Sequence, residues 1–274
     1  MIKSDLHIHT YCSDGELSPE QVVRRFAGLG YQRIAITDHD GTRGVIPAVK
    51  EGKKLGIQVI PGVEMTTGFF PKGRDLQLWQ QVPEASEILK GEKPLEIHML
   101  GYCMDMADME FISANEDSMR YRRERNQRIF KILEEMGTPI DPEDVKKNGS
   151  GEFAGKPDFV RAFEKNGIYF DDPWEFMSQV KRQLIPTERG VKVIKGAGGI
   201  AVLAHPKKIR GIGPDSPGFF QRVQLIINRL KPLGLEGLEC WHPSASAEES
   251  EILVDIAKKS GLIITRGSDF HREN

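Results

Sequence analysis

Ser4-Asp5-Leu6-His7-Ile8-His9-Thr10 stands near the start of the chain, and it alternates as a β-strand does, with side chains at i and i+2 on one face. His7 and His9 therefore project together and can hold one metal ion between them. A lone His-x-His is a weak signal; the placement of the other histidines strengthens it. The sequence has seven, at 7, 9, 39, 98, 205, 242 and 271, in the settings Thr37-Asp38-His39-Asp40, Glu96-Ile97-His98, Ala204-His205-Pro206, Trp241-His242-Pro243 and Ser268-Asp269-Phe270-His271. Nearly all fall at or just past the end of an expected strand. An isolated histidine is more often a satisfied core or surface residue, but repetition of one strand-then-histidine form outweighs that reading.

Working outward, Ser18-Pro19-Glu20 opens a helix with Ser18 as N-cap and Pro19 at the first helical position. It runs to about Leu29 and stops at Gly30. Strand two, Arg33–Thr37, delivers Asp38-His39-Asp40. A second helix, about Gly44 to Leu55, closes at Gly56, and strand three, Ile57–Val63, delivers Glu64. This β-loop-α rhythm argues for parallel strands with helices outside. Residues 65–94 break it, and Gly68-Phe69-Phe70-Pro71-Lys72-Gly73-Arg74 reads as an excursion loop, either a lid or an ordered surface hairpin. Strand four, Leu95–Cys103, carries His98.

From Met106 to Ile185 the pattern is helical. Met119, Arg122, Arg125, Ile129, Ile132, Leu133 and Met136 recur at three- and four-residue steps until Gly137 and Pro139. Shorter helices are expected over Pro142–Lys147, Pro157–Asn166 and Pro173–Val180. The region contains no histidine, and it reads as a helical insertion (106–185) capping a barrel made of 1–105 and 186–274. The rhythm then resumes. A helix near Arg189–Lys195 precedes strand five (Gly199–Ala204) with His205. A helix over Phe219–Leu230 precedes strand six (Leu235–Trp241) with His242. A last helix, Ala247–Ser260, precedes strand seven (Leu262–Gly267) with Asp269 and His271. Seven strands suit a closed or nearly closed α/β barrel, with the site at the strands' C-terminal ends.

Net charge is −2 and the pI near 6.4, so no global basic field advertises nucleic acid, and an anionic substrate must be held by local charges or metals. Cys12, Cys103 and Cys240 make no CxxC pair and no disulfide framework, which suits a reducing cytoplasm; Cys103 and Cys240 are expected in the core. No signal peptide and no membrane-length apolar run is expected.

The candidate ligands are His7, His9, Asp14, His39, Glu64, His98, His205, Asp269 and His271. One Zn²⁺ takes about four ligands, so nine suit two or three ions. Imidazole and carboxylate without thiolate fit Zn, Mn or Fe better than Ca or Mg. Paired ions about 3.5–4 Å apart clamp the attacking and leaving oxygens of an in-line displacement, which is hydrolytic chemistry, most naturally on a phosphate ester. No G-x-S-x-G elbow, Walker loop or G-x-G-x-x-G is present. Asp38 and Asp40 can each orient an imidazole; for Asp40 a helix cap near Gly41-Thr42 is an equal alternative.

These residues resemble the PHP family, named for polymerase and histidinol phosphatase domains. The matching stretches are DLHIHTYCSDG (5–15), TDHD (37–40), PGVE (61–64), EIHMLGY (96–102), AHP (204–206), GLECWHPS (237–244) and GSDFH (267–271). The resemblance implies a distorted seven-stranded β/α barrel and a three-metal site. By it, His7, His9, Glu64 and Asp269 hold one ion. Glu64 bridges to a second on His98 and His205, and Asp14, His39 and His271 hold the third. Asp14 and the insertion are similar to the stand-alone branch that includes 3′,5′-nucleoside bisphosphate phosphatases and 5′-end RNA exonucleases. The implied partner is a phosphorylated small molecule, a nucleotide or a short RNA or DNA end, with no membrane and no obligate protein partner. Two stretches depart from the pattern. A GRPH-like motif is here Gly155-Lys156-Pro157-Asp158, and no histidine follows the turn Pro243-Ser244-Ala245-Ser246.

Arg122 and Arg125 continue the apolar face of Ile129 and Ile132, so they point inward or toward the barrel mouth, and arginine's planar fork suits phosphate. With Lys156 they are the candidate grip for a substrate phosphate the metals do not hold; a solvated basic face pairing with Glu116 or Glu124 is the alternative. His242 is a candidate proton donor to the leaving oxygen or a phosphate contact, or else a turn residue before Pro243. With Asp269 it makes up the catalytic set around a metal-bridging hydroxide. Competing functions are a histidinol-phosphate phosphatase, an amidohydrolase acting on a carbonyl, and a non-catalytic metal-binding module.

Overall fold

A computed structural model describes residues 2–145 and 154–272. Its strands are β1 (Ser4–Asp5), β2 (Arg33–Ile36), β3 (Gln58–Phe69), β4 (Leu95–Tyr102), β5 (Ile185–Pro186), β6 (Ile200–Leu203), β7 (Leu235–Trp241) and β8 (Ile263–Arg266). Seven run side by side in the order β1-β2-β3-β4-β6-β7-β8, and the short β5 pairs with β3 off this path. The two edges approach one another. Leu6 N–H donates to Arg266 O at 3.1 Å, His9 N–H to Phe270 O at 2.9 Å, and Ile8 bridges Phe270 in parallel. The result is the nearly closed, distorted seven-stranded α/β barrel expected.

The expectation of parallel strands fails at β4, which runs antiparallel to both β3 and β6. The cause lies in the chain leaving β3. β3 does not stop at Val63 but continues to Phe69, and residues 65–69 pair with Leu95–Met99 as the long arms of a wide hairpin. Residues 65–69 are thus sheet, with Phe69 fully buried. Beyond them, turns at Gly73–Trp79 and Pro83–Ala85 and the short α3 (Ser86–Leu89) bury Trp79, Val82, Ala85 and Ile88 in the main core. The 65–94 segment is a packed wall rather than a lid. Because β4 is reversed, His98 reaches the barrel mouth from the fourth residue of its strand, not from past its end.

The helices are α1 (Pro19–Gly28), α2 (Val45–Leu55), α3, α4 (Met109–Glu135), α5 (Pro142–Val145), α6 (Lys156–Lys165), α7 (Pro173–Gln179), α8 (Thr187–Gly196), α9 (Phe219–Leu230) and α10 (Ala247–Lys259). The cap expected at Ser18 is present in full. Ser18 Oγ accepts from Gln21 N–H and Gln21 Oε1 from Ser18 N–H, satisfying two amides the first turn cannot. Gly56 closes α2 at φ 70°, a conformation that favours glycine. The helix expected over Pro142–Lys147 is α5; Lys146 and Lys147 lie outside the described residues.

α4 is 27 residues long, about 40 Å, and serves two cores. Near its start Phe111 and Ala114 join the barrel core, while Ile129 and Leu133 near its end pack with Phe159, Phe163 and Met177 of α6 and α7. Arg122 and Arg125 sit between these halves. Cys240 is buried as expected; Cys103 is exposed, because it stands in the turn after β4 with φ 57°. Among the described residues no helix is long and apolar enough to cross a membrane.

Candidate metal centre

β1 itself is shorter than the alternation suggests, but the chain stays extended through His9, and the alternation holds. Ile8 turns outward into the core under α1 and α2, while His7 and His9 turn into the barrel mouth, each fully buried. Their partners come from the ends of other strands, and Glu64 of β3 lies at the centre. Glu64 Oε1 is 2.8 Å from His98 Nδ1 and 2.8 Å from His205 Nε2. Glu64 Oε2 is 3.3 Å from His7 Nε2, 3.1 Å from His9 Nε2 and 3.1 Å from His39 Nδ1. Asp269 Oδ1 lies 3.2 Å from His9 Nε2 and 3.5 Å from His7 Nε2. On the far side of His9, Asp14 Oδ1 is 3.2 Å from His271 Nε2, and Asp14 Oδ2 is 3.6 Å from His39 Nε2. All nine sequence candidates therefore come together. Eight of them form three overlapping groups whose donor atoms lie within 4.8 Å of one another: His7, His9, Glu64 and Asp269; His9, Asp14, His39 and His271; and His39, Glu64 and His98. The ninth, His205, stands outside these groups and joins through Glu64 Oε1. His39 faces Glu64 as well as Asp14, a sharing the resemblance did not imply.

Two observations test whether these residues fit metal ions. His7 Nε2, His9 Nε2 and Glu64 Oε2 are buried and have no hydrogen-bond partner among the described residues, a costly arrangement unless something else satisfies them. Their spacings of 3.1–3.5 Å match the edges of a coordination shell, since bonds of about 2.1 Å in a tetrahedron give edges of about 3.4 Å. The residues present fit divalent ions.

The electrostatics agree. Burial lowers the His9 imidazole, but Asp269, Glu64 and Asp14 outweigh it and hold it at about 10. Burial prevails at His39, which falls to about 3, and at His205, at about 4. Burial raises the Glu64 carboxyl, yet His39, His7 and His98 keep it well below the usual carboxylate range. Asp14, Glu64, Glu239 and Asp269 thus form a concentration of buried negative charge that calls for cations.

Sequence reasoning missed Glu239. Its Oε1 lies 3.1 Å from His7 Nδ1, and its Oε2 accepts from the His205 N–H at 2.8 Å. The carboxylate accepts from Nδ1–H and leaves Nε2 directed at the centre, as partners of metal-bound imidazoles do. The signal was a carboxylate between Leu238 and Cys240 in the middle of the strand Leu235–Trp241, which must have a partner to be buried. Gly267 makes this contact possible: a Cβ there would lie 2.2 Å from His7 Cβ and 2.7 Å from Glu239 Oε1. Asp38 supports His9 at one remove, accepting from Thr10 and from Ser13 Oγ, which lies 3.3 Å from His9 Nδ1.

Asp40 neither caps α2 nor orients an imidazole. With φ 51° it turns away from the centre, accepts from Thr66 N–H at 2.8 Å, and receives Arg122 at 2.5 Å and Arg182 at 3.0 Å on Oδ2. Arg122 is therefore buried rather than a solvated face, as expected, but it faces Asp40. Arg125 is also buried and donates to Asn126 Oδ1 and Ala154 O. Both arginines line a cleft of about 1250 Å³ shared with Lys156, Arg182, Lys208, Arg210 and the metal-centre residues Asp14, His39, Glu64, His98, His205, Asp269 and His271. Arg182, Lys208 and Arg210 had no periodic signal, since they stand in loops. Lys208 Nζ bonds Asp269 Oδ2 at 2.5 Å. His242 Nε2 lies 3.3 Å from the same oxygen, and Ser244 N–H donates to His242 Nδ1 at 3.0 Å.

The comparisons with known proteins agree with this geometry. The chain is 27% identical over 277 residues to a 5′-3′ exoribonuclease of Haemophilus influenzae, covering 98% of this chain and 90% of that one. It is 25% identical to a phosphoribosyl 1,2-cyclic phosphate 1,2-diphosphodiesterase of Eggerthella lenta (97% and 93%). To a 3′,5′-nucleoside bisphosphate phosphatase of Chromobacterium violaceum it is 26% identical (99% and 88%). A solved structure of an amidohydrolase from Chromobacterium violaceum, with sulfate bound and no metal, superposes with a TM-score of 0.79 at 25% identity, covering 99% of this chain and 88% of that one. The model of the PHP domain matches residues 5–142, half of the sequence, and with the donor set above it establishes that the chain belongs to the PHP domain family and is a hydrolase of phosphate esters.

Proposed function

We propose that the chain holds two or three divalent ions on His7, His9, Asp14, His39, Glu64, His98, His205, Asp269 and His271, and that it hydrolyses a phosphate ester of a nucleotide that carries a second phosphate, either a 3′,5′-nucleoside bisphosphate or the end of a short nucleic acid. One observation carries the reading: the cleft that exposes the metal centre is also walled by Arg122, Arg125, Lys156, Arg182 and Arg210. Against these five cations stand Asp40, which faces Arg122 and Arg182, and Glu96 and Asp158, which both act on Arg125. The surplus positive charge suits a second anion beyond the one at the metals. Two of the relatives are named for nucleotide or RNA substrates, which supports the same class.

Bound ions would supply Lewis acidity at the phosphoryl oxygens and a hydroxide near neutral pH. The chain's own groups do the rest. Glu239 holds His7 in the tautomer that directs Nε2 inward. Ser244 N–H occupies His242 Nδ1, so the neutral ring carries its proton on Nε2, beside Asp269 Oδ2. On this reading His242 holds or delivers a proton at the leaving oxygen, and Lys208 is a cation in contact with the ligand set itself.

The test is phosphate release by the Mn²⁺-loaded protein from adenosine 3′,5′-bisphosphate, AMP, histidinol phosphate and a 5′-phosphorylated RNA oligonucleotide, each with a chelator control. Chelator-sensitive release from the bisphosphate well above AMP is expected. Mononucleotides from the oligonucleotide would extend the reading to strand ends, whereas turnover of histidinol phosphate alone would overturn it.

A further inference from the structure

The metal centre and the cationic wall account for the phosphates of the proposed substrate but not for the rest of the cleft. At about 1250 Å³ it is far larger than two phosphate groups need and has the size of a site for a whole small molecule. α6 and α7 also line it, and there Pro157, Val160, Met177 and Trp174 add apolar surface among charged and polar neighbours such as Arg161, Glu164 and Glu175. Trp174 is the odd member. The chain has three tryptophans. Trp79 is fully buried, Trp241 is half-buried under Arg266, and Trp174 is 43% exposed.

Its backbone is firmly placed. Asp172 Oδ1 accepts from the N–H groups of Trp174 and Glu175 as the N-cap of α7, and Trp174 O accepts from Ser178 Oγ at 2.7 Å. The rings around it, Phe163, Phe170 and Phe176, pack against one another, yet among the described residues the indole makes no ring or cation contact. A large aromatic surface on a fixed helix is left lining a cleft that also holds Arg122, Arg125 and Lys156. Leaving an indole wet forgoes favourable burial, and a flat π-face beside a phosphate grip is the arrangement that stacks a nucleobase.

We infer that Trp174 is the base platform of this site, so that the substrate is recognised as a nucleotide and not merely as a bisphosphorylated sugar. The inference rests on the nucleotide reading above and adds to it the residue that enforces it. Stacking on an aromatic tolerates every base, so the platform selects for a base without selecting which one.

The experiment compares adenosine 3′,5′-bisphosphate with 1-deoxyribose 3,5-bisphosphate, which keeps both phosphates and lacks the base, on Mn²⁺-loaded wild type, Trp174→Ala and Trp174→Phe. Trp174→Ala should raise KM for the nucleotide about 10- to 100-fold, leave kcat within about twofold, and leave KM for the base-free compound unchanged. Trp174→Phe, which keeps a ring, should fall between. A metal-free measurement accompanies it. Titrating adenosine 3′,5′-bisphosphate into the chelated protein should quench tryptophan emission, and Trp174→Phe should abolish the quenching while Trp79 and Trp241 still emit. Equal KM for the two substrates, with no quenching and no change in Trp174→Ala, overturns the platform and leaves the bisphosphate reading standing. Turnover of neither substrate with quenching intact supports the platform and overturns that reading. Absence of both turnover and quenching overturns both.

Discussion

At the barrel mouth, the carboxylates of Asp14, Glu64, Glu239 and Asp269 are enclosed by histidines. Across the same cleft, Arg122, Arg125, Lys156, Arg182 and Arg210 enclose the carboxylates of Asp40 and Glu96. The first region has too much negative charge for its burial, and the second too much positive. The function proposed above gives each a ligand of the opposite sign, metal ions for one and a phosphate for the other. They differ in what holds them. Glu64 and Glu239 stand on strands and Asp269 just past one, whereas the cations stand on α4, α6 and loops; Asp40 anchors Arg122 and Arg182, and Arg125 and Arg210 donate to neutral oxygens. The acidic side should therefore fail by losing its ligand, and the basic side by losing its internal partner.

The largest effect should come from the acidic side. His9 belongs to two of the three donor groups, so His9→Ala should strip metal measured by elemental analysis and lower kcat/KM at least ~10³-fold, as loss of several kcal/mol of charge stabilisation requires. Full activity in a metal-depleted His9→Ala protein would refute the assignment. On the basic side, Asp40→Ala leaves Arg122 and Arg182 buried without their carboxylate. Removing one partner of a buried ion pair destabilises by about 3–5 kcal/mol, so the urea midpoint should fall sharply. Arg122→Met in the same background should restore part of it. A midpoint unchanged in Asp40→Ala would mean the arginines find other acceptors, and the contrast between the regions would lose its basis.

Glu239→Gln sharpens the comparison at smaller amplitude. The amide keeps the shape but cannot enforce the His7 tautomer, and loss of such an outer partner typically weakens metal affinity 10- to 100-fold. Competition with a fluorescent chelator should read that loss while the urea midpoint moves little. Equal metal affinity in wild type and Glu239→Gln would reduce Glu239 to a packing group.

How much of this was legible follows from the same contrast. Every metal-site candidate except Asp14, which stands in a turn, lies on or beside a strand, where a period of two carries orientation into the sequence, and all nine converge. Strand direction was not legible. Nothing local distinguishes antiparallel β4 from its parallel neighbours, because direction was decided by β3 running on to Phe69 and returning through residues packed in the core. For the same reason the 65–94 segment stayed open between a lid and an ordered surface hairpin: Phe69 and Trp79 look like loop decoration until the hairpin buries them. On the basic side, helical periodicity placed Arg122 and Arg125 inward, but it could not reveal that Asp40 would meet one of them. Arg182, two residues beyond Val180 in an irregular loop, carries no periodicity at all. A contact between a loop and a helix 60 residues away is a tertiary fact.

The smallest effect is a titration, and it belongs to the basic side alone. Burial, with Arg210, Arg125 and Arg182 nearby, overcomes the opposing pull of Glu96 and lowers the Lys156 ammonium to about 8. Below that pH the lysine is charged and can grip a phosphate; above it the free enzyme loses the charge. Because kcat/KM reports the free enzyme, it should bend downward above about pH 8 for the doubly phosphorylated substrate. The bend should be absent in Lys156→Arg, whose guanidinium stays charged throughout. Lys156→Met should show a flat profile at the lower, high-pH level, a loss of roughly tenfold for one exposed-to-half-buried charge contact. A bend that persists in Lys156→Arg would assign the titration to the metal centre instead, and the two sides of the cleft would then no longer be separable by pH.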